Sequence, residues 1–586
     1  MAENIHVSVA WPYANGPFHV GHIAGAYLPA DIFARFQRLR GNNVLMVSGS
    51  DCHGTPITLK AEQEGVPTQQ VIRRYHESFL QTFVALGISF DLFTQTYTEN
   101  HYAVTTDLFL RLQEHGYIYK QTMIGSYSET LGRFLPDREV EGTCPHCGYA
   151  NARGDQCDNC GKLLDPQELI NPRARMDGSA ITFRDTEHFF LDLAKLEPAI
   201  RTWLDGADRG YWRTNTVQFT QNWLREGLRG RAITRDLEWG VPVPGDDPTF
   251  ADKRIYVWFD AVIGYLSASV EWAQRVGEPE KWREWWNPGA AKIYNFIGKD
   301  NIPFHTIIWP AILLGVGELN LPYDVPANEF LNLEGEKMST SRNWALWAPD
   351  IENRYQADQI RYYLAANAPE GRDSNWSWAE FVQRNNAELV ANWGNLANRV
   401  LNIAHRHFGA VPTPGELAAG DRALLADIEA GFARVTALLD SVKLKAALQE
   451  TLLLSQRVNQ YLAETTPWKL VKDDKERAAT VLYVSLHAIN TLKILFAPFL
   501  PNSSQQLHEL LGYTGTIAPQ PRIAEAVDEE GATRQVLTGD YEVDATWVIS
   551  QLPAGQLIQP PTPLFRKLEE SVVEEELMRL RASAGA

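Results

Sequence analysis

A short apolar run, Ile5 to Ala10, reads as a buried strand. It leads into Pro12-Tyr13-Ala14-Asn15-Gly16-Pro17-Phe18-His19-Val20-Gly21-His22, and then into Ile23 to Arg40, where Leu28, Ile32, Phe36 and Leu39 repeat at helical spacing. A strand that delivers two histidines to the start of a helix constrains this chain more than any other segment. The first N–H groups of a helix have no partners inside it, and the positive end of the dipole faces the turn. Such a terminus suits phosphate. Each histidine adds a donor, and Gly16 and Gly21 let backbone approach a ligand closely. A His-x-Gly-His tetrapeptide arises easily by chance, and most core histidines are merely packed. The weight comes from a second element, Lys337-Met338-Ser339-Thr340-Ser341, which follows Glu334-Gly335-Glu336 and predicts a mobile loop carrying a cation.

Strand and helix patterns alternate up to about residue 116, with Asn43–Ser48 as a second strand, which predicts a doubly wound parallel sheet of Rossmann type. Residues 117–229 break the pattern: a polar stretch with four cysteines, then an irregular Trp-rich segment. Strands at Ile255–Phe259 and Lys292–Ile297 and helices at Ala261–Gln274 and Phe304–Leu314 complete the sheet over 230–325. The loop region takes 326–378. From about Ala379 the pattern is helical: Leu424, Ile428, Val435 and Leu439 keep one apolar face, as do Val481, Val484, Leu492 and Leu495. A helix bundle is expected over 379–512. A C-terminal extension, 513–586, begins irregular or β-like and ends in an amphipathic helix, Leu564 to Leu580.

The 586 residues require several domains. No basic or apolar leader opens the chain, and no apolar run approaches the roughly 18–20 residues that span a bilayer. A cytoplasmic enzyme without membrane contact is the expectation. The net charge of −18 argues against a generally basic nucleic-acid coat but leaves room for a local RNA footprint.

Cys144-Pro-His-Cys147 and Cys157-Asp-Asn-Cys160 are two Cys-x-x-Cys pairs across a short loop. Four thiolates favour one tetrahedral Zn²⁺ in a closed, structural site. His146 is a competing ligand and an iron–sulfur cluster the alternative metal group; the spacing favours Cys₄ zinc. Cys52 reads as a packed thiol.

These motifs together resemble the methionyl-tRNA synthetase family of the class I aminoacyl-tRNA synthetases. The resemblance spans nearly the whole chain. It rests on Ala10-Trp-Pro-Tyr-Ala-Asn-Gly, Gly49-Ser-Asp51-Cys-His53-Gly-Thr-Pro-Ile57, the Cys₄ insertion, Ile233-Thr-Arg235-Asp236, Tyr256-Val-Trp258-Phe-Asp260-Ala261-Val-Ile-Gly-Tyr265, Phe296-Ile-Gly298-Lys-Asp300-Asn-Ile-Pro-Phe304-His305 and the Lys337 loop. It implies activation of L-methionine by ATP with Mg²⁺, followed by transfer to tRNA(Met).

By the same resemblance, Asp51 binds the methionine ammonium. Tyr13, Trp258, Ala261, Tyr265, Phe304 and His305 form the side-chain pocket, with the Tyr265 hydroxyl and the His305 imidazole available as donors to the thioether. Ala10, His19, Gly21, His22, Gly298, Asp300, Leu331, Lys337 and Thr340 hold ATP. The catalytic groups are His19, His22, Lys337, Asp300 and, on the reacting carboxylate or phosphates, Arg235. Asn395, Arg399 and Trp468 read the anticodon; the first two lie four apart on one helical face. For each aromatic residue, plain core packing is the competing reading.

Three positions depart from the family pattern: Thr340 stands where the loop usually has lysine, Asn301 where an apolar residue is frequent, and Val262 where proline is common. With Thr340, Lys337 carries more of the charge, helped by Arg342 and Mg²⁺. A synthetase for another apolar amino acid, a cytidylyltransferase-like nucleotidyltransferase and a tRNA-binding scaffold without chemistry are the rival readings; methionine-dependent pyrophosphate exchange separates them. The short remainder after Leu564 favours a monomer.

Overall fold

In the computed structural model, which describes residues 2–154, 157, 159–160, 164–206, 208–339, 343–527, 533–543 and 546–585, the first apolar run is strand β1 (Asn4–Val9). Its alternate residues Ile5, Val7 and Val9 are buried against one face, as period-two geometry requires. β2 (Asn43–Ser50), β3 (Leu92–Gln95), β4 (Lys292–Gly298) and β5 (Pro322–Asp324) join it in parallel, in the order β5-β4-β1-β2-β3. β6 (Ala327–Asn328) pairs beside the end of β4. The chain thus steps outward from β1 through β2 to β3 and returns on the other side of β1 as β4. That reversal opens a crevice at the carboxyl ends of β1 and β4, where doubly wound sheets bind ligands.

Both strands at the reversal feed a helical run that contains a π turn. After β1 come Val20–His22, the π turn Ile23–Tyr27 and Leu28–Leu39; after β4 come the π turn Phe304–Ile308 and Trp309–Val316. π turns interrupt regular helix frequently at functional sites.

The sheet's two faces carry separate apolar cores. One is walled by Val257–Arg275, Glu99–Glu114, Trp285, Trp286 and Trp309. The other takes in Leu28–Leu39 and Thr68–Leu86 and runs on without a break into the helix bundle, whose long members are Ala419–Asp440, Leu444–Thr465 and Lys475–Phe496.

The structure corrects several sequence expectations. The run Ile255–Phe259 is not a strand: only Arg254–Ile255 pairs, with Thr234–Arg235, and Val257 begins a helix. A short, wholly apolar run does not distinguish the two states. The segment expected to be irregular contains Ile181–Leu191, which pairs along its full length with Ile118–Ser128, followed by helices Leu193–Asp205 and Thr214–Glu226. The ribbon is exposed over Tyr119–Thr122 and Thr182–Asp185 but buried at Thr186 and over His188–Leu191, so apolar alternation is not sustained along either strand. Helix Lys475–Phe496 is long and apolar enough to cross a membrane, contrary to the sequence reading, but 83% of its apolar window is buried inside the bundle.

The C-terminal segment returns to the catalytic sheet. β7 (Arg522–Val527) and β8 (Thr533–Thr538) form a hairpin, and β8 pairs antiparallel with β3. The last helix is Ser571–Gly585, where Leu564 to Leu580 was expected.

Arg361, 1% exposed, fastens the bundle to the sheet. It pairs with Asp31 at 2.6 Å and donates to the carbonyls of Phe499, Pro498 and Leu86 at 2.9, 2.9 and 3.2 Å. Arg361→Met should strand these buried acceptors and cost about 3 kcal/mol. A thermal unfolding midpoint several degrees below wild type is the expected reading; an unchanged midpoint would show the fastening to be dispensable.

Candidate functional site

The crevice holds a cavity of about 480 Å³. All the residues assigned from sequence to methionine and ATP line it, apart from Thr340, which lies outside the described residues. Arg235 alone of the expected catalytic group is elsewhere. Its guanidinium donates to the carbonyls of Ala232 and Thr234 and lies 4.2 Å over the Tyr256 ring. It lines a second cleft, against the insertion ribbon, which shares the Tyr13–Trp258 wall.

One end of the cavity is made by the turn after β1. The Nδ1 atom of His19 accepts the N–H of Gly21 at 3.1 Å, and Nδ1 of His22 accepts the N–H of His19 at 3.2 Å. The two histidines therefore form a reciprocal cap on their own helix. Because each Nδ1 accepts, the neutral rings carry their protons on Nε2. The rings stack at 3.7 Å. Burial, and next the charge of His22, hold His19 well below the usual imidazole range, so at neutral pH it donates one N–H without adding full charge. A Cβ at Gly21 would meet Met338 Cε at 2.8 Å and the His19 ring at 2.9 Å, so any larger residue would displace one or both. Val20 N–H donates to Leu346 and Ala348 N–H to Phe18, so the turn and the segment after the Lys337 loop are stitched together.

Asp300 sits at the end of β4, where burial pushes its carboxyl up and the charges of Lys337 and Lys299 pull it back. Lys337 Nζ lies 4.8 Å over the Phe330 ring.

The other end is apolar. Trp258 and Phe304 stack at 4.0 Å, and Tyr13 meets Trp258 edge-on at 6.4 Å. Such walls suit a thioether, at about 0.3–1.5 kcal/mol per ring contact. Tyr265 Oη lies 2.7 Å from His305 Nε2, and His305 Nδ1 lies 2.9 Å from the Asn301 carbonyl. A carbonyl can only accept, so Nδ1 carries the proton and Nε2 takes the tyrosine's. Both protons are engaged within the protein. To reach a thioether either group must leave the partner it has here. Burial keeps His305 neutral, at about 4.

Asp51 lies between the two ends and is 3% exposed. Its Oδ1 accepts the N–H of His53 at 3.1 Å. Among the described residues it forms no ion pair. Burial, and after it the charge of Asp260, push it well above the ordinary carboxylate range. Removing an ammonium from water needs such a partner, and the ammonium in turn stabilises the carboxylate.

Sequence reading missed Tyr27, Gly25, Glu329 and Phe330, which also line the cavity. Gly25 follows His22 three residues on and was legible as continuing its face; Tyr27, five on, comes there through the π turn Ile23–Tyr27, and β6 and its exit gave no motif.

The four cysteines of the insertion form no disulfide. Their sulfurs all lie within 4.8 Å of one another, with Cys144–Cys160 at 3.9 Å and Cys147–Cys157 at 3.6 Å. A tetrahedron with metal–sulfur bonds of about 2.3 Å needs edges of about 3.8 Å, so the cluster fits a metal ion. The amide of Asn159, then the backbone N–H of Tyr149, pull the Cys147 thiol down to about 6.

In the bundle, Asn395 and Arg399 are exposed on helix Asn395–Phe408, which touches the short helix Pro467–Asp473. Trp468 on that helix is 39% exposed rather than packed in the core. Arg399 bonds Asn459, whose amide in turn bonds Asn392.

Residues 5–401 match the family model for class I tRNA synthetases (M), and residues 411–532 match the anticodon-binding domain of methionyl tRNA ligase. A methionine–tRNA ligase of Roseiflexus castenholzii is 72% identical over 99% of both chains, and one of Chloroflexus aggregans is 53% identical over 100% of both. The fold is similar to that of Mycobacterium tuberculosis methionyl-tRNA synthetase in complex with methionyl-adenylate, with a TM-score of 0.76, 28% identity and coverage of 96% of this chain and 99% of that one.

The cap geometry makes a spectroscopic prediction. Histidine-selective ¹⁵N labelling should show His19 neutral, with a proton on Nε2, from pH 8 down through pH ~6. Protonation near the ordinary imidazole value, or a proton on Nδ1, would contradict the arrangement.

Proposed function

Since this chain belongs to the class I methionyl-tRNA synthetases and is a methionine–tRNA ligase, we propose that the single cavity at the β1–β4 crevice serves both half-reactions. The observation that carries the assignment of ends is Asp51: a buried carboxylate without an ion-pair partner among the described residues, between an aromatic pocket and a donor-rich turn. Methionine places its ammonium on Asp51 and its side chain against Trp258, Phe304, Tyr13, Ala261 and Tyr265. His305 holds Tyr265 in place. ATP lies with its ribose hydroxyls on Asp300, its base near Leu331 and Ala10, and its phosphates toward His19, His22 and Lys337.

In the first step a methionine carboxylate oxygen attacks the α-phosphorus in line, and pyrophosphate leaves. The protein positions the reactants and stabilises charge; no enzyme nucleophile takes part. The Nε2–H groups of His19 and His22 and the ammonium of Lys337 bind the developing charge more strongly than the ground state. Mg²⁺ accompanying ATP neutralises part of the phosphate charge. In the second step a ribose hydroxyl of the terminal tRNA adenosine attacks the acyl carbon, AMP leaves, and the hydroxyl proton passes to the adenylate's own phosphate. For Arg235 to reach the reacting groups it must leave Tyr256.

The cysteine cluster holds one structural Zn²⁺, chosen over iron by the Cys₄ spacing. Asn395, Arg399 and Trp468 contact the anticodon, with Trp468 stacking on a base at about 1–3 kcal/mol. The enzyme works as a cytoplasmic monomer. The domain limits keep 1–116, 117–229, 230–325, 326–378 and 379–512, while 513–586 also supplies β7 and β8 to the catalytic sheet.

Two substitutions test this reading. Lys337→Ala should lower methionine-dependent pyrophosphate exchange by about 10²–10³-fold while leaving the methionine KM within about twofold; unchanged exchange removes Lys337 from the reaction. Trp468→Ala should raise the tRNA KM about ten- to hundredfold and spare tRNA-independent exchange. Equal loss of both activities would mean that Trp468 is structural.

A further inference from the structure

Asp260 lies on helix Val257–Arg275 between two residues of the methionine wall, Trp258 and Ala261, but does not itself line the cavity. Its side chain is fully buried. Oδ2 accepts from His53 Nδ1 at 2.6 Å, and Oδ1 has no hydrogen-bond partner. His53 Nε2 meets Tyr102 Oη at 3.2 Å, so both ring nitrogens are fixed. The main-chain N–H of the same His53 is the donor on Asp51 Oδ1. The backbone of Asp51 is held separately, by the Pro12 carbonyl and the Ala14 N–H. The orientation of its carboxylate depends on residue 53.

We propose that Asp260, acting through His53, is a positioning residue for methionine: it anchors the imidazole that presents the His53 N–H to Asp51, and its buried charge strengthens the field that draws in the ammonium. This rests on the reading of Asp51 as the ammonium site. Asp51 forms no ion pair among the described residues, whereas Asp260 lies 2.6 Å from His53 Nδ1 and 3.9 Å from His101 Nε2; a methionine ammonium would relieve the repulsion that Asp260 exerts on Asp51. The unpartnered Oδ1 keeps Asp260's charge from being fully quenched by hydrogen bonds.

The groups facing the pair are known from every packed element. After β2 they are Cys52 and His53. On helix Glu99–Glu114 they are His101 and Tyr102; His101 Nε2 lies 3.9 Å from Asp260 and its Nδ1 bonds Ser267 at 2.8 Å. On the helix of Asp260 they are Tyr265 and Glu271, and Arg254 faces Tyr102. Burial pushes the Cys52 thiol, Tyr102 and Tyr265 up and His101 down. A like charge raises a carboxyl, so removing Asp260's charge lets Asp51 ionise at lower pH.

The test is ATP–pyrophosphate exchange on the full-length enzyme, with KM for methionine, KM for ATP and kcat measured from pH 5 to 9 for wild type, Asp260→Asn, His53→Gln and Asp51→Asn. Asp260→Asn and His53→Gln should raise the methionine KM about tenfold at neutral pH, with KM for ATP and kcat within about twofold. The acid limb of kcat/KM for methionine should move to lower pH in Asp260→Asn and stay in place in His53→Gln, which keeps the charge. Methionine KM unchanged in both, or both KM values rising together, overturns the proposal. If the packing around helix Val257–Arg275 does not tolerate Asp260→Asn, the KM split in His53→Gln decides alone. Asp51→Asn without effect on methionine overturns the reading beneath it; a large effect there, with none in the other two, overturns the positioning role only. Wild-type enzyme carrying two metal ions per chain, falling to one in both variants, would make Asp260, His53 and His101 a metal site and also overturn the proposal.

Discussion

The divergence of β1 and β4 is the constraint on which the rest depends. Parallel strands end in one direction, and the helices that follow them begin there with unpaired N–H groups. Between two strands whose connections leave in opposite senses, nothing covers that end. The Ala10 N–H still bonds the Phe296 carbonyl at 3.1 Å, so the floor is continuous while the roof is open. The cavity is roofed by segments brought from elsewhere: the turn of His19 and His22, the residues after β6, and the loop of Lys337.

Within the cavity, proton placement separates the two ends. His19 and His22 spend Nδ1 on their own backbone and keep Nε2–H groups for a ligand. Tyr265 and His305 do the reverse, closing their donors onto each other and onto Asn301. The phosphate end is therefore rich in donors and the thioether end has polarisable ring faces, a division that follows from tautomers set by single backbone contacts. Asp51, between them, is buried and forms no ion pair among the described residues.

Most of this site was legible because its residues lie in short runs tied to strand ends: residues 10–22, 51–57, 258–265 and 298–305 each follow or precede a buried element. A motif fixes the position of a main chain and not the direction of a long side chain: the Arg235 guanidinium lies on Tyr256 and two carbonyls, outside the cavity. The insertion ribbon escaped because its buried residues, Thr186 and His188 to Leu191, are bunched at one end and leave no sustained alternation. The hairpin of β7 and β8 could be read as β structure, but its partner β3 lies more than 400 residues earlier, and edge pairing leaves no pattern in either sequence. Arg534 of that hairpin also pairs with Glu271 of helix Val257–Arg275 at 2.7 Å, tying the hairpin to the layer over the sheet.

The central claim is that one cavity binds methionine by Asp51 and the phosphate by the Nε2 atoms of His19 and His22. A crystal structure with a non-hydrolysable methionyl-adenylate analogue tests it most directly. The account predicts the ammonium within hydrogen-bond distance of Asp51, the thioether against Trp258 and Phe304, the ribose hydroxyls on Asp300, and the phosphate mimic facing both histidine Nε2 atoms. An analogue whose ammonium lies away from Asp51, or whose phosphate mimic turns from the histidines toward Arg235, would contradict it.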